Sequence, residues 1–358
     1  MAPSTPPPLS TNLPMTPDYD WQSLHRDALV IDSHNDTIVG LIRRAGQSMA
    51  GPDAPARAEP ESLIGYLRGP VDTAEIPIQS DLRAMREGGV DAGYFAVDNT
   101  RAWGNHLAYV LDGFGWFHAE LQAHSDQLAL ALTADDILAA KAAGKVAVVL
   151  AIENSEALER SLHVLPMLYR VGVRTMTITH SIRTYAGDGE SHHHSGGGLT
   201  QFGRDLIAAM NDLGMLVDVS HLSVPSFWHA MQATNTPVIA SHSACRALNE
   251  HGRNLHDDQL KAIADGGGVI GVTCVHHFVD THNPTLERYL DHVEHAVNVA
   301  GIDHVGFGSD FDGGSYLLDD ARQVPLVTQG LAARGWAEPN LRKFLGLNHL
   351  RTFRDACG

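Results

Sequence analysis

His34, Asp36, Glu153, His180, His221 and His242 each stand at or just beyond the end of a short apolar run, and Asp310 and Asp312 follow another. Imidazoles and carboxylates are the groups that bind Zn2+ and similar borderline cations. In His34-Asn35-Asp36 the period-two geometry of an extended chain puts both candidate ligands on one side, within reach of one metal. Glu153 ends the run 146–152. A carboxylate placed there is costly to desolvate unless it is paired or metal-bound. The other reading is an acid at the start of a helix opened by Asn154 and Ser155. As a bridge, Glu153 would hold two cations roughly 3.5–4 Å apart.

His221 and His242 close Val217-Asp218-Val219-Ser220 and Val238-Ile239-Ala240-Ser241, two runs of nearly the same local sequence. Equivalent positions argue for a shared task. Asp218 either orients a ligand or makes a structural hydrogen bond. His34, Asp36, Glu153, His221 and His242 suffice for two metal sites, which leaves His180 to polarise a carbonyl or stabilise an oxyanion. Arg253 beside a cationic centre is unfavourable unless it meets an anion, so it reads as a carboxylate clamp, with a surface arginine as the alternative. Asp310 precedes Asp312 and is the better placed to face the centre. The triplet His192-His193-His194 resembles a metal tag but lies in a Gly-rich stretch expected to be a flexible loop. Ser195 lacks the strand-to-helix elbow of a nucleophilic serine.

Something must bring these distant residues together. Val/Ile/Gly-rich runs at 28–32, 90–97, 146–152, 173–179, 215–220, 238–241, 269–274 and 304–308 read as strands. Their continuous apolar character is that of strands covered on both faces. Helical patterns fall between them, at 80–87, 106–143 in two pieces, 157–170, 202–213, 224–233, 257–264 and 285–300. Asp257 suits an N-cap, and Gly172 and Gly214 suit C-caps. This rhythm predicts a (β/α)8 TIM barrel, with an open doubly wound sheet as the runner-up. The barrel is preferred because the polar residues sit at the carboxyl ends of several strands, where such barrels assemble their sites. The Ala/Pro/Gly-rich segment 43–75 reads as a long pocket-shaping loop, and 323–357 as one or two closing helices.

Composition excludes some partners. A net charge of −17, from 42 acids against 25 bases, disfavours nucleic acid. No apolar run is long enough to span a bilayer, and the three cysteines, Cys245, Cys274 and Cys357, read as thiols rather than a disulfide framework. Residues 1–20, rich in Pro, Ser and Thr, read as a disordered tail before one domain over 21–358. A cytoplasmic protein with no membrane partner is the expectation.

The chain resembles the membrane (renal) dipeptidase family, metal-dependent barrel hydrolases related to the amidohydrolases. The resemblance rests on Asp32-Ser33-His34-Asn35-Asp36, on Asp81-Leu82 with Glu87-Gly88-Gly89-Val90, and on residues 198–203, 210–221, 241–243, 253–254 and 301–313. It implies two Zn2+ per subunit, one on His34 and Asp36 and one on His221 and His242, with Glu153 bridging. It further implies that His180 meets the substrate and the oxyanion, and that Arg253 binds the substrate carboxylate. Asp310 would handle the proton and the substrate amine. The expected function is hydrolysis of dipeptides, L,D-dipeptides included, by a metal-bridging hydroxide, in a homodimer. The alternative is a related amidase acting on N-acyl amino acids or cyclic amides. Departures cluster in the pocket. Gly93-Tyr94-Phe95-Ala96 replaces the usual Gln-Phe-Trp-Ser, Asp98 a common aromatic, Ser181 an asparagine and Leu347 a glycine. The resemblance therefore carries the catalytic class further than the substrate.

Overall fold

A computed structural model describes residues 18–44, 47–54, 62–69 and 77–358, without the side chain of His193. Residues 1–17, most of the expected tail, lie outside the described residues, as do parts of the segment 43–75.

The strand Val146–Glu153 is buried along its whole length, and its side chains sort by parity. Val146, Val148, Leu150 and Ile152 belong to the large core shared with the surrounding helices, while Ala147, Val149 and Ala151 join a smaller cluster inside the sheet. Period-two alternation carries the inward set on to Glu153. The same pattern recurs around a parallel sheet of nine strands: β1 Ile31–Asn35, β2 Ala92–Asp98, β3 Leu128–Leu130, β4 Val146–Glu153, β5 Val173–Thr177, β6 Leu216–Asp218, β7 Val238–Ser243, β8 Val269–Thr273 and β9 Val305–Gly308.

Eight of these run β1-β2-β4-β5-β6-β7-β8-β9, and β3 pairs only with β4, outside the ring. Closure comes from β1 meeting the chain just after β9. Asp310 N donates to His34 O (3.0 Å), Asp36 N donates to Phe311 O (2.8 Å), and Asp32 accepts from both Ser309 N and Ser309 Oγ at 2.7 Å. The fold is the expected (β/α)8 TIM barrel. Inside it the walls come very close. A Cβ added at Gly308 would lie 2.0 Å from Ser241 O and 2.7 Å from Ser33 Oγ, so only glycine fits. Leu350 and Phe353, from the last helix Asn348–Cys357, pack against Ile31, Leu216, Ile239 and Val269 and plug the amino end. Truncating Phe353 to alanine would cost about 3–5 kcal/mol.

Several boundaries differ from expectation. The segment 106–143 forms helices His106–Ala123 and Ala134–Ala142, with β3 between them. Segment 157–170 contains two short 3-10 turns before the helix Leu165–Val171. Segment 43–75 carries a helix, Leu63–Arg68, rather than loop alone, and segment 323–357 breaks into several helical pieces. Asp257 is the first helical residue and His256 the N-cap. Gly172 and Gly214 do end helices in the left-handed region, at φ 112 and 73. All three cysteines are free.

Two histidines away from the rim make stability pH-dependent. Buried His292 accepts from Cys245 N through Nδ1 (3.0 Å) and donates to Val279 O through Nε2 (2.8 Å), an arrangement that requires the neutral ring. Burial lowers its pKa from 6.5 to about 4, and His349 behaves alike. Below pH 6.5 the unfolded state gains protons that the folded state refuses, so this stabilisation fades as pH falls toward 4. Asp32 and Asp312, raised by burial to about 6, act in the opposite sense, so a difference measurement is needed. The stability gap between wild type and His292→Gln, from urea unfolding, should narrow between pH 6.5 and 4.5; a constant gap contradicts this role for His292.

Candidate metal centre

Glu153 reaches the rim simply by continuing the inward parity of β4, but His34 and His242 do not. In β1 the inward set runs through Ile31 to Ser33, whose Oγ donates to Ser241 O (2.7 Å) and Phe307 O (3.0 Å). In β7 it runs through Ile239 to Ser241. Both histidines are one residue out of phase. Each strand, however, has a register shift beside its histidine, between Asp32 and Asn35 in β1 and between Ala240 and Ser243 in β7. Such irregularities re-aim side chains next to active sites. Asp36 comes from a different local geometry than the expected extended one. It is the N-cap of helix Thr37–Arg43, yet its carboxylate makes no capping bond and turns to the site.

Backbone conformation supplies the rest. His221 (φ 67) and Asp310 (φ 60) are left-handed non-glycine residues, as are Asn154 (φ 83), directly after Glu153, and Asp312 (φ 63). Conformations of this kind persist only where the surroundings enforce them.

The side chains so placed converge on Glu153 Oε1. It lies 3.0 Å from His221 Nε2, 3.5 Å from His242 Nε2, 3.9 Å from His34 Nε2 and 4.0 Å from His180 Nε2. His34 Nε2 is also 3.7 Å from Asp36 Oδ2 and 3.9 Å from Asp310 Oδ1. Side-chain groupings able to hold a cation are His34-Asp36-Glu153, Glu153-His221-His242, His34-Asp218-His242 and Asp98-Glu153-His180. The structure thus brings together His34, Asp36, Glu153, His180, His221, His242 and Asp310. Arg253 adjoins them. Its Nη2 donates to His242 O (3.0 Å), its ring neighbour is Phe278, and its buried Nε has no hydrogen-bond partner among the described residues. Asp312 is held away by Thr37 Oγ1, Gln79 N and Arg44.

The donor set fits cations. His34 Nε2 and Asp36 Oδ1 are buried without hydrogen-bond partners among the described residues. His221 Nε2 and His242 Nε2 face each other at 2.9 Å, which leaves no room for a proton on each. What holds the far side of each ring explains why the Nε2 lone pairs point inward. His242 Nδ1 donates to Ser241 Oγ (2.8 Å), which donates to Asp218 Oδ2 (2.5 Å). His221 Nδ1 faces Glu190 Oε2 at 3.6 Å and Ser181 Oγ at 3.5 Å. Partners of this kind fix the tautomer of a metal ligand.

Electrostatics agree. Burial, then Arg253, lowers the His221 pKa to about 4 against the pull of Glu190, and burial, then His34 and Arg253, lowers that of His242 well below the usual imidazole value. Burial and His221 likewise lower His180. Burial lifts Glu153 to about 7 and pushes Asp310 well up, aided by nearby carboxylates. His34 goes the other way. Burial opposes its charge, but Glu153, Asp36 and Asp310 outweigh it and raise the pKa to about 10. The field that would keep a proton on His34 is the field that would hold a divalent cation in its place.

Glu190 was missed by sequence reasoning. It opens the 3-10 segment Glu190–Ser195 that contains the histidine triplet. Neither His192 nor His194 belongs to any cation-competent grouping among the described residues, while Glu190 reaches His221. Asp98 was noted only as a departure from the family. It is paired with Glu153 across β2 and β4 and lies 3.6 Å from Arg68.

A parallel barrel that gathers imidazoles and carboxylates at its carboxyl rim is the arrangement used by metal-dependent barrel hydrolases. The sequence profile of the membrane dipeptidase family (peptidase family M19) matches residues 20–357, and the chain belongs to that family. It is 38% identical over 238 residues to dipeptidase verJ of Clonostachys rogersoniana, a match covering 65% of this chain and 61% of verJ. It is 31% identical to dipeptidase tcpJ of Claviceps purpurea (strain 20.1), over 79% of this chain and 70% of tcpJ. Among solved structures, a metallopeptidase from Rhodobacter sphaeroides, liganded with a phosphinate mimic of the dipeptide L-Ala-D-Ala, superposes with a TM-score of 0.80 at 25% identity. That match covers 92% of this chain and all of the other. No helix among the described residues is long and apolar enough to cross a membrane.

Glu190→Gln should weaken retention of an added divalent metal about 10–100-fold, read by competition with a chelator, because the His221 ring loses its anionic partner. Unchanged affinity removes this positioning role.

Proposed function

We propose that this protein is a binuclear zinc dipeptidase. His34 and Asp36 would hold one ion, His221 and His242 the other, and Glu153 would bridge. The observation that carries this reading is the convergence of three imidazoles on one oxygen of a buried carboxylate, with a buried arginine alongside. When bound, zinc supplies water that is deprotonated near neutral pH and polarises the scissile carbonyl. The chain's own residues do the remaining work. Arg253 receives the substrate's terminal carboxylate at its unpartnered Nε side, which favours short substrates with a free carboxyl end. His180, part-exposed at the site's edge and disfavoured as a cation by burial, steadies the carbonyl oxygen as it gains charge. Asp310 accepts the proton of the attacking water and returns it to the leaving amine, work usually worth about 10²–10⁴-fold. Its raised pKa suits a group that must hold a proton between the two events.

The likeness to a structure holding an L-Ala-D-Ala mimic supports including L,D-dipeptides among the substrates. A panel of L,L- and L,D-dipeptides, their N-acetyl derivatives and their C-terminal amides tests the proposal on zinc-loaded protein. Free dipeptides should be cleaved, and Arg253→Met should raise KM for them far more than for the amides. Faster cleavage of the acetylated compounds would replace the dipeptidase reading with an N-acyl amidase. Equal losses on acids and amides would remove Arg253 as the clamp.

A further inference from the structure

A recess of about 160 Å3, partly open to solvent, adjoins the cage on its β1–β2 side. Arg43, Arg44, Arg68, Asp98, Asp312 and Gly313 line it, together with the cage residue Asp36. Gly313 shows how near the reacting groups are. A Cβ there would lie 2.2 Å from Asp36 Oδ2 and 2.3 Å from Asp310 Oδ1. The recess therefore borders the part of the site where Asp310 would meet the substrate amine. Arg253 stands elsewhere, in the loop after β7. In a dipeptide lying from Arg253 to Asp310, the group nearest this recess is the side chain of the amino-terminal residue.

Three guanidinium groups around one small space repel one another unless anions balance them. Two have partners: Arg44 is 3.9 Å from Asp312, and Arg68 is 3.6 Å from Asp98. Asp312 is already engaged by Thr37 Oγ1 (2.8 Å) and Gln79 N (3.0 Å), and Asp98 by Thr100 N (2.8 Å). Arg43 is different. Its Nε donates to Gly69 O at 3.3 Å, and no carboxylate pairs with it among the described residues. Burial and the neighbouring Arg68 disfavour its charged form. Arg68 Nε, in turn, is buried without a hydrogen-bond partner among the described residues. Asp36 adds little balance once it binds a cation. The free Arg68 Nε and the Arg43 guanidinium, which no carboxylate neutralises among the described residues, suit the planar, two-oxygen geometry of a carboxylate.

We propose that this recess is a specificity pocket for an acidic side chain on the amino-terminal residue of the substrate, with Arg43 and Arg68 as its carboxylate-binding groups. The inference rests on the dipeptidase reading and narrows it to dipeptides beginning with Asp or Glu.

The test compares kcat/KM for Glu-Ala and its uncharged isostere Gln-Ala on zinc-loaded protein. Wild type should favour Glu-Ala by about tenfold or more, as one charge-assisted contact provides. Arg43→Gln should lower that ratio about tenfold, and Arg43→Glu should turn preference toward Lys-Ala. Arg43 is part-exposed, so its variants are expected to fold. The wild-type comparison needs no variant at all. Equal use of Glu-Ala and Gln-Ala by wild type, or a ratio untouched by Arg43→Gln, overturns the pocket and leaves the dipeptidase reading standing. If neither dipeptide is hydrolysed, calorimetric binding of the same pair decides separately. Selectivity for Glu-Ala that Arg43→Gln abolishes keeps the pocket and removes the dipeptidase reading, whereas equal or absent binding removes both.

Discussion

The rim of this barrel is organised by the cost of placing a carboxylate at the end of an apolar strand. Glu153 is almost wholly buried, and its Oε1 is the point toward which His34, His221, His242 and His180 all turn. Desolvation is the largest cause of its pKa rising to about 7; the neighbouring Asp36 and Asp98 add to the strain, and His180 and His34 partly offset it. His221 and His242, kept neutral by burial, relieve little of this. Cations placed among them would relieve it fully, since each ring presents a lone pair and each carboxylate a charge. Asp218 and Glu190, behind His242 and His221, keep those lone pairs aimed inward.

Putting these side chains there requires the barrel to break its own regularity. Strand parity delivers Glu153, but His34 and His242 need the register shifts of β1 and β7, and His221 and Asp310 need left-handed backbone. The closure that makes this possible is local. Asp32, Ser309, His34 and Asp310 exchange hydrogen bonds across the seam between β1 and β9, so the same few residues shut the sheet and shape the site.

Sequence reading reached the barrel because buried parallel strands announce themselves as apolar runs, and it reached the cage because each run ended in a group that is expensive to bury. It stopped where geometry is not written in residue type. Three residues, Leu128–Leu130, are too few to display a strand period. Nothing in Ser33-His34 or Ser241-His242 marks a register shift, although the serines take the inward positions that the histidines would otherwise occupy. Glu190 lay beside a conspicuous histidine triplet that drew attention to the wrong side chains. The pairing of Asp98 with Arg68 joins the end of β2 to a helix inside a segment that reads as loop.

The most direct test is crystallographic, with data collected on both sides of the zinc absorption edge from protein supplied with zinc. The account predicts two anomalous peaks per chain about 3.5–4 Å apart, both in contact with Glu153. One should touch His34 and Asp36, the other His221 and His242. A chain with no peak at this rim, or with metal that does not touch Glu153, would contradict it.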